Sequence, residues 1–299
     1  MPAVIIIINP RAGVRGLDAV AARTTLARDL LERFGMDGEV VVTEHRGHGG
    51  EVTRAMVGKG VDAVVAWGGD GTINEVASEL VNRAIPLGIV PAGSGNGLAR
   101  ELRIEWDPRR ALETALKGRV RQIDAGELGG RHFFNVAGIG LDAHLADVFD
   151  KGTQRGIRGY VAALFRELGD YDPVRYLVQT SDAPESGSSF GQRALLVALA
   201  NSRQYGNRAV IAPTARFDDG LLELVIVPPL SLAATLWHAR RLFTGTVHRI
   251  PKVVTRSVRA GKISADRPLT FHVDGEVVEG PDRLSFGVHP EGLWVRVPT

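Results

Sequence analysis

Three short stretches of this chain place carboxylates among or beside glycines. They are Gly68-Gly69-Asp70-Gly71, Asp218-Asp219-Gly220 and Asp274-Gly275-Glu276. The first follows a strand-like run and precedes a helical pattern, where glycine N–H groups and a helix N-terminus can bind a polyphosphate. An acid there would repel a bare phosphate, so Asp70 suits a magnesium ion, a ribose or a hydroxyl that must lose its proton. Residues 68–73 therefore predict an anion site with an acid beside it.

Each stretch also has a simpler interpretation. Asp70 could belong to an Asp-Gly turn in which Thr72 is the helix N-cap. Residues 218–220 could form a plain turn, and residues 274–276 a hairpin turn with an exposed glutamate. The residues alone leave these alternatives open. As a turn acid, Asp70 would contribute little to packing, and its replacement should leave the thermal midpoint nearly unchanged.

The elements that must position these residues show a regular rhythm in the first 120 residues, where strand-like runs alternate with helical patterns. The runs are residues 3–8, 39–43, 62–67 and 86–90. This alternation predicts a parallel sheet with helices on both faces. Its ligand crevice is expected at the carboxyl ends of the strands, which are followed by four polar, glycine-bearing loops at residues 9–13, 43–50, 68–72 and 91–97.

The rhythm changes after a helix predicted from Pro108 to Lys117, with Asp107 as its N-cap. The later runs are short and separated by turns, among them residues 284–288 and 293–297, and they predict an antiparallel β-sandwich. We therefore expect an α/β domain over 1–122 and a sandwich domain over 123–299, whose last strand is free to pack back on the first domain. Helical patterns at 156–168 and 231–245 and a polar loop at 181–189 interrupt the second region.

Composition limits the function classes. The chain has 299 residues, 44% of them apolar, and its 36 basic and 34 acidic residues leave a net charge of +2, so a nucleic-acid partner is not indicated. It has no cysteine, so a metal must be held by oxygen or histidine. The eight histidines form no HExxH pattern and are expected at the surface or in the core. A start without a basic leader and an apolar window broken by Pro228-Pro229 predict a cytoplasmic protein without a membrane span.

Residues 68–76, GGDGTINEV, resemble the GGDGTxNEV motif of the diacylglycerol kinase catalytic-domain family of lipid kinases. That family includes sphingosine kinases and is similar, more distantly, to NAD kinases and phosphofructokinases. Five further motifs resemble the family in the right order, namely NPRAG (9–13), PAGSGNGLAR (91–100), NVAGIGLDAHL (135–145), APTARFDDGLLEL (212–224) and FHVDGEVVEG (271–280). No Walker A pattern occurs, and the spacing Gly138-x-Gly140-x-x-Ala143 lies in the antiparallel region, where we interpret it as coincidence.

The resemblance implies a first domain like that of NAD kinases and phosphofructokinases, followed by the sandwich. It implies an ATP- and Mg²⁺-dependent kinase that transfers the γ-phosphoryl group to a hydroxyl of a lipid alcohol, diacylglycerol or a sphingoid base, in the interdomain cleft. The positions that match nucleotide-binding residues of the family are Asn9, Thr43, Gly68, Gly69, Asp70, Gly71, Thr72, Asn74, Gly93, Ser94, Gly95 and Asn96.

The resemblance also gives roles to the remaining acids. Asp70 and Glu276 are the two candidates for the general base, and the sequence does not decide between them. Asp142 is expected to contact the lipid headgroup, or else to cap the helix that follows. A structural magnesium ion would be held by Asp219 and by the backbone carbonyls of Arg216 and Leu221.

A lipid substrate implies transient, peripheral contact with a membrane surface. The patch from Leu230 to Phe243 could make that contact, with Arg240 and Arg241 facing anionic headgroups. The loop sequence Ser94-Gly95-Asn96-Gly97 looks more like the sphingosine-kinase version and slightly favours a single-chain acceptor. A soluble NAD kinase and a non-catalytic lipid or nucleotide sensor are the alternative functions, and the oligomeric state, a homodimer included, is open.

Overall fold

A computed structural model of the chain describes residues 3–13, 16–93, 95–141, 143, 171–181, 189–206 and 209–299. The helix predicted at 156–168 and most of the loop predicted at 181–189 lie outside the described residues. By its contacts the chain divides into two units. The first comprises Met1–Ile123 with Glu291–Thr299, and the second comprises Asp124–Pro290.

The first unit is built on a parallel sheet, as the sequence predicts. Its strands are β1 (Val4–Ile8), β2 (Gly38–Val42), β3 (Ala63–Gly68) and β4 (Arg83–Pro91), in the order β2-β1-β3-β4. Every residue of β1 and β3 is buried, which is typical of parallel strands with both faces covered. Ile8 of β1 pairs with Val42 and Trp67, so neighbouring strands reach the same edge of the sheet. The loops that follow them therefore leave at that edge, and this prediction is confirmed.

Within the described ranges three helices connect these strands and two follow β4: α1 (Leu17–Arg33), α2 (His48–Val57) and α3 (Asp70–Ser78), then α4 (Gly97–Glu101) and α5 (Pro108–Lys117). The start of α5 is as predicted, since the side chain of Asp107 accepts the N–H of Arg110 at 3.0 Å and Pro108 takes the first helical position. The α5 helix packs directly on β4. A Cβ on Gly88 would lie 2.7 Å from the Cβ of Ala115, so only glycine permits this approach.

Strand β5 (Arg119–Leu128) starts in the first unit and continues into the second, where it forms an antiparallel hairpin with β6 (Arg131–Phe133), closed by Gly129 and Gly130 at positive φ. The other strands are β7 (Val136–Gly140), β8 (Val174–Thr180), β9 (Ser189–Ala194), β10 (Leu196–Ala200), β11 (Gln204–Gly206), β12 (Ala209–Val210), β13 (Leu222–Val227), β14 (Val254–Val258), β15 (Ala260–Ser264), β16 (Thr270–Val273), β17 (Glu276–Glu279) and β18 (Arg283–Val297).

Two layers of these strands enclose a core, which confirms the predicted sandwich. One layer has the order β14-β13-β10-β7-β16-β17, and in the other β15 pairs with β8 and with the first part of β18. One apolar cluster joins Ile139 and Phe271 of the first layer to Val178 and Phe286 of the second. Along β8 buried and exposed residues alternate, as expected of a strand with one face in the core.

The six-stranded layer also packs on its outer face. Helix α6 (Leu232–Thr244) has Ser231 as its N-cap, and Ser231 Oγ accepts the N–H of Ala234 at 3.2 Å. A second apolar cluster contains Val225 and Val227 of β13, and Leu242 of α6 packs against it. The strand β13 is therefore buried on both faces, and the helix predicted over 231–245 is confirmed.

The runs at 284–288 and 293–297, predicted as separate strands, are one strand, β18. Its first part pairs antiparallel with β15, and its last part pairs parallel with β4 through Leu293 and Val295. The prediction of two separate strands was wrong because strand conformation continues through the residues between the two runs, where the pairing partner changes from β15 to β4. Among the helices in the described ranges, none combines the length and apolar character needed to cross a membrane.

Candidate active site

The GGDGT stretch is the junction between β3 and α3. A Cβ on Gly68 would lie 2.5 Å from the Cβ of Thr72, so the strand can only end in glycine here. The N-cap is Gly69, which has no side chain to bond the first helical N–H groups, and Thr72 lies within the first turn. Thr72 as the N-cap, one of the two interpretations of this turn, is therefore wrong. An uncapped helix N-terminus at a glycine turn suits an anion.

Three polar side chains of α3 each bond to a different neighbouring loop. Asp70 accepts N–H groups of the 91–97 loop. Thr72 Oγ1 accepts from Asn9 Nδ2 at 2.8 Å, and Glu75 Oε1 accepts the N–H of Gly47 at 2.8 Å. The polar residues of the motif thus hold together the four loops that the sequence predicts at the ligand edge.

The carboxylate of Asp70 is occupied on both oxygens. Oδ2 accepts the N–H of Asn96 and Oδ1 accepts the N–H of Gly97, each at 2.8 Å. A Cβ on Gly95 would lie 2.6 Å from Oδ2, so the loop can approach the carboxylate only with glycine at this position. These bonds explain why an acid is present in a loop of the phosphate-binding type: the Asp70 carboxylate accepts the N–H groups at the start of α4. They also change the expectation that Asp70 contributes little to stability.

Asn96 links the two glycine loops from the other side. Its side chain is fully buried, with Nδ2 donating to the carbonyl of Gly68 at 3.0 Å and Oδ1 accepting the N–H of Gly93 at 2.6 Å. Asn96 has φ 47°, a left-handed conformation that asparagine tolerates better than most residues. A Cβ on Gly93 would lie 2.9 Å from the Cα of Gly69. Asn96 therefore positions the two loops, which pack backbone against backbone.

The 9–13 loop is fixed by one arginine. Arg23 donates to the carbonyl of Asn9 at 3.2 Å and to that of Ala12 at 2.7 Å, and burial lowers the pKa of Arg23. Gly13 has φ 68°, and a Cβ on it would lie 2.7 Å from the carbonyl oxygen of Ala92. Arg23 was not among the predicted site residues, because its contacts come from the interior of a helix with no motif of its own.

The other predicted nucleotide residues lie around the same edge. Thr43 follows β2, is 8% exposed and donates its N–H to the carbonyl of Ile8 at 2.9 Å. Asn74 is equally buried on α3, where its Oδ1 accepts from Ser78 Oγ at 3.3 Å. Gly71 has open space at its Cβ position. Ser94 lies outside the described residues.

In the second unit, Asp274 and Gly275 form the tight turn between β16 and β17. Both have positive φ, 48° and 89°, as a two-residue Asp-Gly hairpin turn requires. The Asp274 carboxylate accepts the N–H groups of Phe134, Asn135 and Val136 at 2.8, 2.9 and 3.1 Å. The acid of this turn therefore fixes the backbone that leads into β7.

Glu276 comes directly after this turn, at the first position of β17, where it pairs with Val273. It is half-buried, and a fixed turn on one side and a strand on the other set its backbone. Asp142 lies outside the described residues, so its predicted headgroup contact has no structural account.

The predicted metal segment is a turn with one buried acid behind it. Asp219 is exposed, and its Oδ1 accepts the N–H of Leu221 at 3.1 Å, while Arg216 Nε lies 3.4 Å from Asp218 Oδ1. Asp124 is 1% exposed and accepts the N–H of Gly220 at 2.7 Å. The Asp219 carboxylate and two backbone carbonyls are all oxygen donors, which fits Mg²⁺. Asp124 was missed by sequence reasoning, although an acid inside a strand pattern was a signal that it has a buried partner.

Comparison with known proteins gives two domain matches that together span most of the chain. Residues 3–128 match the model of the diacylglycerol kinase catalytic domain. Residues 135–297 match the model of the YegS C-terminal NAD kinase beta sandwich-like domain. The boundary between these matches falls in the β5–β6 hairpin region.

Among the relatives named "Probable lipid kinase YegS-like" are two from Pseudomonas species. One, from Pseudomonas fluorescens, is 29% identical over 95% of this chain and 94% of its own length. The other, from Pseudomonas aeruginosa, is 31% identical over 94% of this chain and 88% of its own length. A solved diacylglycerol kinase structure from Bacillus anthracis superposes with a TM-score of 0.72 at 19% identity, covering 98% of this chain and 96% of that one. At that identity the superposition shows the fold.

Proposed function

We propose that this chain transfers the γ-phosphoryl group of ATP to a hydroxyl of a lipid alcohol. The premise is that the chain belongs to the YegS-like family of lipid kinases, with a diacylglycerol kinase catalytic domain. The observation that carries the proposal is the edge of the first unit where α3 bonds to three neighbouring loops. Phosphoryl transfer needs positioning and charge stabilisation more than covalent work, and rigid glycine loops supply positioning.

The triphosphate is assigned to the glycine turn before α3 and to the 91–97 loop. At Gly68, Gly93 and Gly95 a side chain would collide with neighbouring protein atoms, so these glycines let the two loops pack closely, and the space at the Cβ position of Gly71 is open to a ligand. Asn9 and Thr43 are assigned to the nucleotide because they border the same edge. Asn96 and Asp70 hold the loops in place.

Glu276 is the better candidate for the general base. Both oxygens of Asp70 already accept backbone N–H groups, so removing this carboxylate's charge by protonation would weaken two hydrogen bonds. Glu276 is on a fixed turn and is half-buried, a setting in which a carboxylate can remove a proton from a hydroxyl. We assign to Asp70 the positioning of the phosphate loops.

Magnesium is assigned two places. At the phosphate site a magnesium ion would neutralise charge on the phosphates, as it does in phosphoryl transfer generally. The second unit adds Asp219 with the carbonyls of Arg216 and Leu221 as a structural site, backed by the bond from Gly220 to buried Asp124. The oxygen-only donor set is the basis for this assignment.

The proposed acceptor is a lipid, diacylglycerol or a sphingoid base, and phosphorylating it requires transient contact with a membrane surface. The cytoplasmic location stays a prediction from the sequence. The surface of α6 supports that contact. Trp237 is 62% exposed, Phe243 is 45% exposed, and the Arg240 guanidinium lies 4.3 Å from the centre of the Trp237 ring. Exposed aromatic rings with a cation beside them are typical of helices that lie at a membrane interface. Arg241 instead donates from Nε to His238 Nδ1 at 3.1 Å.

The test is a transfer assay with ATP radiolabelled at the γ-phosphate. The full chain is incubated with magnesium and a total lipid extract, or with NAD, and the labelled product is identified. The account predicts label in a phosphorylated lipid. Label in NAD would assign the chain to soluble NAD phosphorylation, and ATP binding without turnover on any lipid would make it a sensor. Asp29→Ala, a change of an exposed acid on α1, is the matched control and should retain activity.

A further inference from the structure

Two histidines and one glutamate meet on the second unit. The Nε2 atoms of His132 and His289 lie 3.8 and 3.1 Å from the same oxygen, Oε2 of Glu127. The two rings stand edge to face, with centres 5.3 Å apart and planes at 73°. One donor atom from each of the three residues lies within 4.8 Å of the other two. Three metal-ligating side chains therefore converge on one point.

The fold brings these residues together from distant parts of the sequence. Glu127 and His132 are register partners across the β5–β6 hairpin, so their side chains share one face. His289 comes from β18, which pairs with β5, and it is 162 residues from Glu127 in the sequence. The expectation that the histidines are plain surface or core residues did not anticipate this cluster, since no local spacing marks it.

We propose that Glu127, His132 and His289 bind one Zn²⁺ ion, or a divalent transition-metal ion with similar ligand preferences, with water completing the coordination. Two imidazole nitrogens and one carboxylate oxygen suit Zn²⁺, whereas Mg²⁺ prefers oxygen ligands. Metal–ligand distances of about 2.0–2.1 Å in a tetrahedral site place ligand atoms about 3.3 Å apart. The two histidine–glutamate separations, 3.1 and 3.8 Å, lie on either side of that value, and all three ligand atoms lie within 4.8 Å of one another, so a bound ion requires the side chains to move closer by no more than about 1.5 Å.

The surroundings allow an ion to enter and to be held. The three side chains are 25%, 33% and 30% exposed for His132, Glu127 and His289, which leaves solvent access for the ion and for a water ligand. Their backbones lie on paired strands, and the hairpin is fixed to β18 by the bond from Gly129 N–H to the carbonyl of Ser285 at 2.8 Å. A bound ion would cross-link the hairpin to β18. This site shares no residue with the magnesium assignment at Asp219 or with the residues assigned to phosphoryl transfer.

The experiment uses the full-length chain after treatment with a chelator and gel filtration. Zn²⁺ is titrated calorimetrically, and Co²⁺ is added separately because its visible absorption reports tetrahedral coordination by nitrogen and oxygen. The wild-type chain is expected to bind one equivalent of Zn²⁺ and to show a higher thermal midpoint with Zn²⁺ than with chelator. Mg²⁺ at the same concentration is expected to leave the signal of this site unchanged.

The variants His132→Gln and His289→Gln each remove one ligand, and Glu127→Gln is a third variant should one of them fold poorly. Losing a residue that only hydrogen-bonds to a metal ligand typically weakens metal binding by ~10–100-fold. Each of these variants loses a ligand itself and is expected to weaken Zn²⁺ binding by more than that. His248→Gln, at an exposed histidine of the 247–249 turn, is the matched control and should bind as the wild type does. The thermal midpoint in chelator checks that each variant is folded.

Two results would overturn the proposal. One is the absence of stoichiometric Zn²⁺ binding by the wild-type chain. The other is equal Zn²⁺ affinity in the wild type and in the folded ligand variants, which would place the ion elsewhere. Neither result depends on kinase activity, so the metal proposal and the proposed function fail or succeed separately.

Discussion

Replacing Asp70 by alanine should destabilise the ligand-free protein, whatever its effect on activity. The carboxylate accepts two backbone N–H groups at 2.8 Å, and both bonds are partly buried. Hydrogen bonds to a charged group contribute ~1.5–3 kcal/mol each, so losing both should cost about 3–6 kcal/mol. At ~2–4 °C per kcal/mol for a domain of this size class, the thermal midpoint should fall by roughly 10 °C. Asp70→Asn retains one acceptor oxygen and should show a smaller fall.

The assay is thermal unfolding followed by circular dichroism, without nucleotide or lipid, so that only folded-state contacts contribute. Asp29→Ala is the matched control because it removes an exposed acid from α1 of the same unit. Its midpoint should stay within a degree or two of the wild type, since surface substitutions usually change stability by less than about 0.5 kcal/mol. If Asp70→Ala has the same thermal midpoint as the wild type, the two N–H bonds contribute nothing to stability and the positioning role of Asp70 is refuted.

Three further outcomes follow from the same contacts. Gly68→Ala should lower the thermal midpoint because a Cβ at this position would lie 2.5 Å from the Cβ of Thr72. Gly71→Ala should instead raise stability by up to about 1 kcal/mol, because Gly71 is in α3 and has open space at its Cβ position. Equal midpoints of the two variants would contradict this. Glu276→Gln should lower the maximal rate while ATP affinity and the thermal midpoint stay near the wild-type values, and a loss confined to ATP affinity would exclude Glu276 as the base. Asp274→Ala, in contrast, removes an acceptor of three N–H groups and should lower the thermal midpoint. Burial raises the pKa of Tyr176, so the contribution of this phenol to stability is complete below the unfolded-state pKa of about 10 and is lost as the pH rises above it. Tyr176→Phe should therefore reduce the loss of stability in alkaline unfolding, and an identical loss in the variant would contradict this.

Much of the fold follows from local sequence patterns. The four parallel strands are continuous apolar runs, and strands of that kind are buried on both faces. The number of strands, and the loops that follow them at one edge of the sheet, were therefore predictable. The helix beginning at Pro108 was marked by its N-cap and proline, and helix α6 by the apolar pattern after Ser231. These signals lie within a few residues of the element that they specify.

Contacts between distant residues were not predictable in the same way. The sequence predicted a loop around Asp70 but not that its two oxygens bond the start of α4, because that partner lies 26 residues away. Nor did it predict the buried position of Asp124, whose bond to Gly220 depends on how strands of the sandwich are arranged. Polar residues between two apolar runs likewise suggested two strands where β18 is continuous, since the pairing partners and not the local pattern decide its length.

The central claim is that this chain phosphorylates a lipid hydroxyl with ATP. The most direct measurement compares ATP labelled at the γ-phosphate with ATP labelled at the α-phosphate, using the purified chain, magnesium and mixed micelles of diacylglycerol or sphingosine. The account predicts that only the γ-label enters the lipid, as a phosphate ester on its hydroxyl, and that the α-label stays with ADP. No lipid label from either donor across the acceptor panel, with the folded protein still binding ATP, would contradict it.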